Sequence, residues 1–195
     1  MKKLYVIFCT LLVIGISTGI YYFSEYRQSK MEFPKEMVMT THTGSTFSFE
    51  ELAPKVRLLE FIYTACPDIC PTTTFQMKKL QTQLTAAKVF DTQVEFLTVT
   101  IDPTVDTEQT LNDYAANFDA GQTAGWEFLR GSVKDTQKLA DQFNFQYRES
   151  GNGDFVHTSA TYLLDKNNRV IKVFGMGEDS FDKDKVYARI MKEVK

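Results

Sequence analysis

A short loop rich in cysteine and proline joins an apolar strand to a helical pattern. Residues 57–63, RLLEFIY, are typical of a buried strand, although Glu60 in its middle needs a partner. The sequence TACPDICP follows, and Pro71 opens a helical pattern that runs to residue 86. Proline suits the first turn because its missing N–H would lack a partner there. Together these elements predict an α/β domain.

The elements around this loop predict parallel strands with helices on both faces of the sheet. The predicted strands are residues 94–101 and 126–129, and the predicted helices are residues 106–118, 133–143 and 182–194. Hairpins are predicted from residues 37–41 with 46–49 and from residues 155–164 with 170–174. This order is what a thioredoxin-like sandwich with an N-terminal and a pre-terminal hairpin would produce.

The N-terminus predicts a transmembrane anchor helix. Lys2 and Lys3 precede residues 4–23, a run of 20 residues without a charged side chain, and a helix needs about 20 such residues to cross a bilayer. The run exceeds the roughly 7–15 apolar residues of a cleavable signal peptide, although its removal stays open. The two lysines favour a cytoplasmic tip. We expect residues 1–30 to form the cytoplasmic tip, the transmembrane anchor and the start of a stalk. Residues 31–195 are expected to form one extracytoplasmic domain.

The charge distribution argues against nucleic acid as a partner. The chain has 22 basic and 25 acidic residues, of which four basic residues and one acidic residue lie in residues 1–30. The remaining residues therefore include 18 basic and 24 acidic ones, a net charge of −6. An acidic domain lacks the basic surface that phosphate binding requires.

Two cysteines, Cys66 and Cys70, lie in the predicted external domain, whereas Cys9 lies inside the apolar run. Cys70 is expected at the N-cap of the helix, where free N–H groups and the helix dipole stabilise a thiolate. Two soft thiolates within reach of each other suit Cu(I), or form a disulfide when no metal is bound. A structural disulfide remains an alternative at this point.

Two better-known cysteine patterns do not fit this loop. A thioredoxin would have C-x-x-C, whereas three residues separate the cysteines here. No proline follows Pro103, so the proline that thioredoxins place opposite the cysteine loop is also missing. A peroxiredoxin would have P-x-x-x-T-x-x-C, and neither Cys66 nor Cys70 is preceded by that pattern.

Three motifs in order make the chain resemble the Sco (SenC) family. They are CPDICP after a strand, TVTIDP at residues 98–103 followed by Asp106 and Thr107, and His157-Thr158-Ser159 before an apolar strand. The resemblance covers about residues 33–195. Members of this family are copper-binding proteins required for assembling the dinuclear copper site in subunit II of cytochrome c oxidase.

The resemblance implies a ligand set. Cys66 and Cys70 would be thiolate ligands of copper and His157 the imidazole ligand, carried back over the cysteine loop by residues 151–155. Asp102 would lie close to the copper and orient its surroundings. His42 is expected to be a solvated turn residue, and the scattered methionines are expected to fill the core.

The function that follows is a membrane-anchored copper metallochaperone, not a classical enzyme. It would carry Cu(I), Cu(II) or both to cytochrome c oxidase subunit II, and its copper donor or thiol reductant is unknown. One alternative is a thiol–disulfide oxidoreductase that keeps the cysteines of the oxidase reduced and uses Cys66 and Cys70 as its redox pair, without His157. Another is a redox or copper sensor.

Overall fold

A seven-stranded mixed sheet lies at the centre of the computed structural model, which describes residues 2–22, 26, 30–121 and 124–194. The helices are α1 (Lys2–Tyr21), α2 (Ile69–Ala86), α3 (Glu108–Asn117), α4 (Val133–Gln142) and α5 (Lys183–Glu193). The strands are β1 (Val38–Thr41), β2 (Thr46–Ser48), β3 (Val56–Ile62), β4 (Val94–Thr100), β5 (Trp126–Arg130), β6 (Tyr147–Glu149), β7 (Phe155–His157), β8 (Ala160–Leu164) and β9 (Val170–Gly175).

The sheet has the strand order β2-β1-β5-β4-β3-β8-β9. Strands β3, β4 and β5 are parallel and are joined through α2 and α3, whereas β1, β2, β8 and β9 add antiparallel edges. All seven residues of β3 are buried because helices cover both faces. Glu60 hydrogen-bonds Thr74 of α2, while its neighbour Phe61 packs against Phe143 after α4. The α/β prediction is therefore confirmed.

The predicted strand over residues 155–164 is wrong in one respect, because it is broken in two. Strand β7 pairs with β6 in a separate two-stranded sheet, and only β8 joins the main sheet and forms the expected hairpin with β9. The break lies at Thr158, whose backbone N–H donates to Gln146 and whose hydroxyl accepts from the Gln146 N–H. The N-terminal hairpin of β1 and β2 forms as predicted.

Helix α1 is the one helix in the described part of the chain that is long and apolar enough to cross a membrane, judged by length and composition. None of its residues is buried against the rest of the protein. Residue 23 of the predicted anchor and residues 24–25 and 27–29 at the start of the predicted stalk lie outside the described residues.

Two expectations about isolated residues have different outcomes. Met31, Met37, Met39 and Met176 are all buried in the hydrophobic core, as predicted. His42 is not a solvated turn residue but is 5% exposed, with its ring edge-on to Phe128 at 5.5 Å. The prediction was wrong because β1 extends the main sheet beside β5, which covers the turn.

Candidate metal centre

The cysteine loop begins where β3 ends and closes at the first turn of α2. The N–H of Cys66 donates to the carbonyl of Tyr63 at 3.1 Å, which turns the chain immediately after the strand. Helix α2 begins at Ile69, so Cys70 is its second residue and Asp68, not Cys70, occupies the N-cap. The helix thus starts two residues before Pro71, which still lies in the first turn, where its missing N–H costs nothing.

The sulfur of Cys66 takes the place of a capping side chain at this helix end. The Asp68 carboxylate makes no capping hydrogen bond. The backbone N–H groups of Asp68 and Cys70 donate to the Cys66 sulfur instead. The N-terminal N–H groups of a helix favour negative charge, so this arrangement stabilises a thiolate at Cys66.

Cys66, Cys70 and His157 converge on one point. One ligand atom from each of them lies within 4.8 Å of the others, and both cysteines are free thiols. Cys70 is fully buried and Cys66 is 8% exposed. Strand β7 of the small hairpin carries His157 to the cysteine loop, so the prediction that these three residues meet agrees with their positions.

The two thiols differ sharply in acidity. The pKa of Cys66 is lowered to about 4 by a hydrogen bond from the Cys70 thiol, and further by His157 and the loop N–H groups. The pKa of Cys70 is raised, because its proton is held by the Cys66 sulfur and because the side chain is buried. At neutral pH the pair therefore carries one thiolate and one thiol.

The imidazole of His157 is oriented by its own backbone and by aromatic neighbours. Its Nδ1 lies 3.0 Å from the carbonyl oxygen of Thr158. Its ring stacks on Phe145 at 5.7 Å and meets the edge of Tyr63 at 6.0 Å. The pKa of His157 is raised, first by its hydrogen bond with Cys66. A cleft of about 600 Å³ borders the ring on the side of Arg148 and Val156.

Tyr63 is a residue of this site that sequence reasoning missed. Its side chain is 4% exposed, and its hydroxyl contacts both the Cys66 sulfur and the backbone N–H of Phe155. It therefore links the cysteine loop to the hairpin that carries His157. Its position at the end of an apolar strand is typical of an ordinary core residue, and only the contact of its hydroxyl with Phe155 of β7 and with Cys66 distinguishes it.

Asp102, predicted to lie close to the metal, accepts a hydrogen bond from Thr104 of its own loop at 2.7 Å. Among the hydrogen bonds found for the described residues, none joins its carboxylate to the two cysteines or to His157. Glu60 lies under α2 with one carboxylate oxygen 2.9 Å from the Thr98 hydroxyl. Burial raises the pKa of Glu60 to about 8, and its other oxygen has no partner in the described part of the chain.

Comparison with known proteins places the chain in a family. A family model described as SCO1/SenC matches residues 26–195. The chain belongs to the SCO1/SenC family. An SCO2-like protein of Rickettsia typhi is 32% identical over 142 residues, which are 67% of this chain and 64% of that relative. The SCO1/SenC chain thus spans slightly less than two thirds of the length of this relative.

Solved structures share the fold of this SCO1/SenC chain. A SCO1/SenC family lipoprotein from Bacillus anthracis has a TM-score of 0.75 at 24% identity, over 85% of this chain and 96% of that one. BsSco, a Sco family cytochrome c oxidase assembly protein with a disulfide switch, has a TM-score of 0.71 at 25% identity. The match covers 86% of this chain and 96% of that one. Copper-bound ScoI of Arabidopsis thaliana has a TM-score of 0.71 at 21% identity, over 84% of this chain and 98% of that one. These likenesses confirm the thioredoxin-like fold.

Proposed function

We propose that this SCO1/SenC protein is a membrane-anchored copper chaperone that assists assembly of the dinuclear copper site of cytochrome c oxidase subunit II. The observation that carries the proposal is the convergence of Cys66, Cys70 and His157 within 4.8 Å. Three donor atoms that surround one ion at about 2.0–2.3 Å lie about 3.3–4.0 Å apart. The three side chains therefore need to close by about 1 Å to bind one ion.

The chemistry of these donors favours copper as the cargo. Thiolates are soft ligands that select Cu(I), and an imidazole adds a nitrogen that also suits Cu(II). Arabidopsis ScoI binds copper in its crystal structure, which supports the same cargo here. BsSco is a cytochrome c oxidase assembly protein, which supports the oxidase as the destination.

Delivery would proceed by ligand exchange. Binding of the ion releases the proton that the Cys70 thiol holds, because only thiolates are strong ligands. Three protein ligands leave one side of the ion open to an incoming thiolate. A thiolate of the acceptor then displaces one cysteine sulfur at a time, and the released Cys70 takes up one proton while Cys66 stays a thiolate.

The anchor would hold this exchange at the membrane. Helix α1 of the segment 1–30 would span the bilayer with Lys2 and Lys3 on the cytoplasmic side, leaving the domain of residues 31–195 outside. Confinement to the membrane raises the effective concentration of the chaperone near a membrane-bound acceptor. The external copper donor or thiol reductant would meet the domain on this side.

A second candidate function, thiol–disulfide exchange with the oxidase cysteines, rests on the unequal acidity of the two thiols. Cys66, whose pKa is lowered to about 4, is a thiolate that can attack a disulfide sulfur of the acceptor. The thiolate of Cys70 would then attack Cys66 in the mixed disulfide. The acceptor would leave as a dithiol, and the protein would hold a Cys66–Cys70 disulfide until an external dithiol reduced it.

His157→Ala in the full-length chain, purified in detergent and also expressed in cells, separates the two functions. A chaperone loses tight copper binding and oxidase assembly together, whereas an oxidoreductase that uses only the cysteines keeps oxidase assembly. Val156→Ala is the matched control, because Val156 is exposed on the same strand and borders the same cleft. Loss of copper binding with normal oxidase assembly would contradict the chaperone proposal.

A further inference from the structure

Asp106 is a buried carboxylate that joins the exits of two parallel strands. Only 1% of the residue is exposed. One oxygen accepts the Thr64 hydroxyl at 2.5 Å, and the other accepts the Thr64 backbone N–H at 3.1 Å and the Thr100 hydroxyl. A buried carboxylate costs much free energy unless such bonds compensate it, so this cluster is a specific arrangement.

Thr64 connects this cluster to the cysteine loop. Thr64 follows β3 and lies two residues before Cys66, at the point where the chain turns into the cysteine loop. Thr100 ends β4, the parallel neighbour of β3. The carboxylate therefore fixes the start of the cysteine loop to the adjacent strand and limits where the Cys66 sulfur can lie.

We propose that Asp106 is a positioning residue. It holds the cysteine loop in place and thereby sets the relative positions of Cys66 and Cys70, on which both copper binding and disulfide formation depend. It touches neither sulfur in the structure and acts through Thr64. The part of this inference that concerns copper rests on the proposed function. The part that concerns the cysteine pair itself does not, because a disulfide between the two also depends on their relative placement.

Asp113 of α3 provides a contrast. It is an exposed residue, and its carboxylate accepts a hydrogen bond from the Gln109 amide at 2.8 Å. Asp113→Asn makes the same chemical change and leaves the contacts to Thr64 and Thr100 in place. It is the matched control for Asp106→Asn, which replaces an acceptor by an amide that cannot satisfy all three donors.

The experiment uses the full-length chain in detergent and has two readouts. The first is the dissociation constant for Cu(I), which we expect Asp106→Asn to raise about tenfold, the lower end of the effect of outer-shell changes. The second, without metal, is the equilibrium of the cysteine pair with glutathione. The equilibrium constant for the Cys66–Cys70 disulfide should fall about threefold or more as the effective concentration of the two thiols falls. Asp113→Asn should match the wild type in both.

The outcomes distinguish the two proposals. If the wild type binds no copper, the proposed function fails while the glutathione equilibrium still tests Asp106. If Asp106→Asn lowers only the melting temperature, or if Asp113→Asn has effects as large, the positioning role is wrong. Should Asp106→Asn not fold, Thr64→Val decides, because it removes one of the three hydrogen bonds and keeps the shape. It should shift both readouts in the same direction by less, and wild-type values would overturn the inference.

Discussion

The Nδ1 atom of His157 lies 3.0 Å from the carbonyl oxygen of Thr158, the next residue along the chain. A carbonyl oxygen can only accept, so Nδ1 carries a hydrogen and Nε2 is the nitrogen whose lone pair is free when the ring is neutral. The same contact fixes the orientation of the ring, as the second hydrogen bond of a metal-binding histidine does in many sites.

This contact predicts the tautomer of neutral His157. In the reduced, metal-free protein, ¹⁵N chemical shifts above the raised pKa of His157 should show a protonated Nδ1 and an unprotonated Nε2. Imidazolium should persist to a higher pH than in a free histidine, because the Cys66 thiolate stabilises it. A protonated Nε2 at high pH would mean that the Thr158 contact does not form in solution.

Cys66 should be far more reactive than Cys70 toward an alkylating reagent. Its pKa of about 4 lies below the ordinary thiol range, so it is fully a thiolate at neutral pH. We expect its rate of reaction with iodoacetamide to be constant between pH 6 and 8 and to fall only as pH approaches about 4. Cys70 should remain unmodified, since it is fully buried and its pKa is raised.

Mass spectrometry of the alkylated protein identifies the modified cysteine. Cys70→Ala serves as the control, because it removes the group that donates a hydrogen bond to the Cys66 sulfur. In that variant the rate should begin to fall at a higher pH than in the wild type, since the largest contribution to the low pKa of Cys66 is the hydrogen bond from Cys70. A rate that follows an ordinary thiol titration in the wild type would contradict the prediction.

Tyr63→Phe should loosen the small hairpin of β6 and β7. The Tyr63 hydroxyl contacts the Phe155 N–H and the Cys66 sulfur, so its removal leaves that N–H without its partner. We expect the amide hydrogen of Phe155 to exchange about 3- to 10-fold faster, the equivalent of roughly 1 kcal/mol for one hydrogen bond. Hydrogen exchange followed by NMR measures this residue by residue.

Tyr162→Phe is the matched control for this change. Tyr162 is also buried, at 2% exposed, but its ring packs against Phe61 and Phe143, away from the hairpin. It should leave the exchange of Phe155 unchanged. Equal effects of the two variants would show that loss of any buried hydroxyl loosens the hairpin, and the link through Tyr63 would be wrong.

Much of the fold follows from local sequence, because a strand such as β3 or β8 that is buried on both faces consists mostly of apolar residues. The break at Thr158 could not be predicted, since it depends on Gln146, a residue that is distant along the chain and contributes backbone groups. The burial of His42 likewise depends on which strand β1 joins.

The candidate site likewise contains residues that the sequence identifies and residues that it does not. Cys66, Cys70 and His157 are marked by residue type and motif, and donor atoms of all three lie within 4.8 Å. The two supporting residues carry no such mark. Tyr63 has the pattern of a core residue, and the sequence allows either Asp106 or Thr107 to cap α3. In the structure Thr107 caps that helix and Asp106 faces Thr64. Contacts between strand ends, which set these roles, are not encoded by local spacing.

Glu60 gives the sharpest prediction about stability. Burial raises its pKa to about 8 from an ordinary value near 4.5. A carboxyl group with a raised pKa contributes fully to stability below its unfolded pKa. That contribution is lost as pH rises from about 4.5 to about 8, because the unfolded chain releases the proton first. Glu60→Gln removes this loss, since an amide does not ionise and has a similar shape.

The variant should therefore be more stable than the wild type at pH 8.5, by on the order of 3 kcal/mol, and the difference should shrink as pH falls toward 4.5. Urea unfolding of the reduced, metal-free chain at several pH values measures it. Glu95→Gln is the control, because Glu95 is an ion-paired carboxylate beside Arg57 on the same sheet, and its loss should destabilise the protein at pH 8.5. A Glu60→Gln variant that is less stable than the wild type at every pH would mean that the ionised carboxylate is compensated inside the fold.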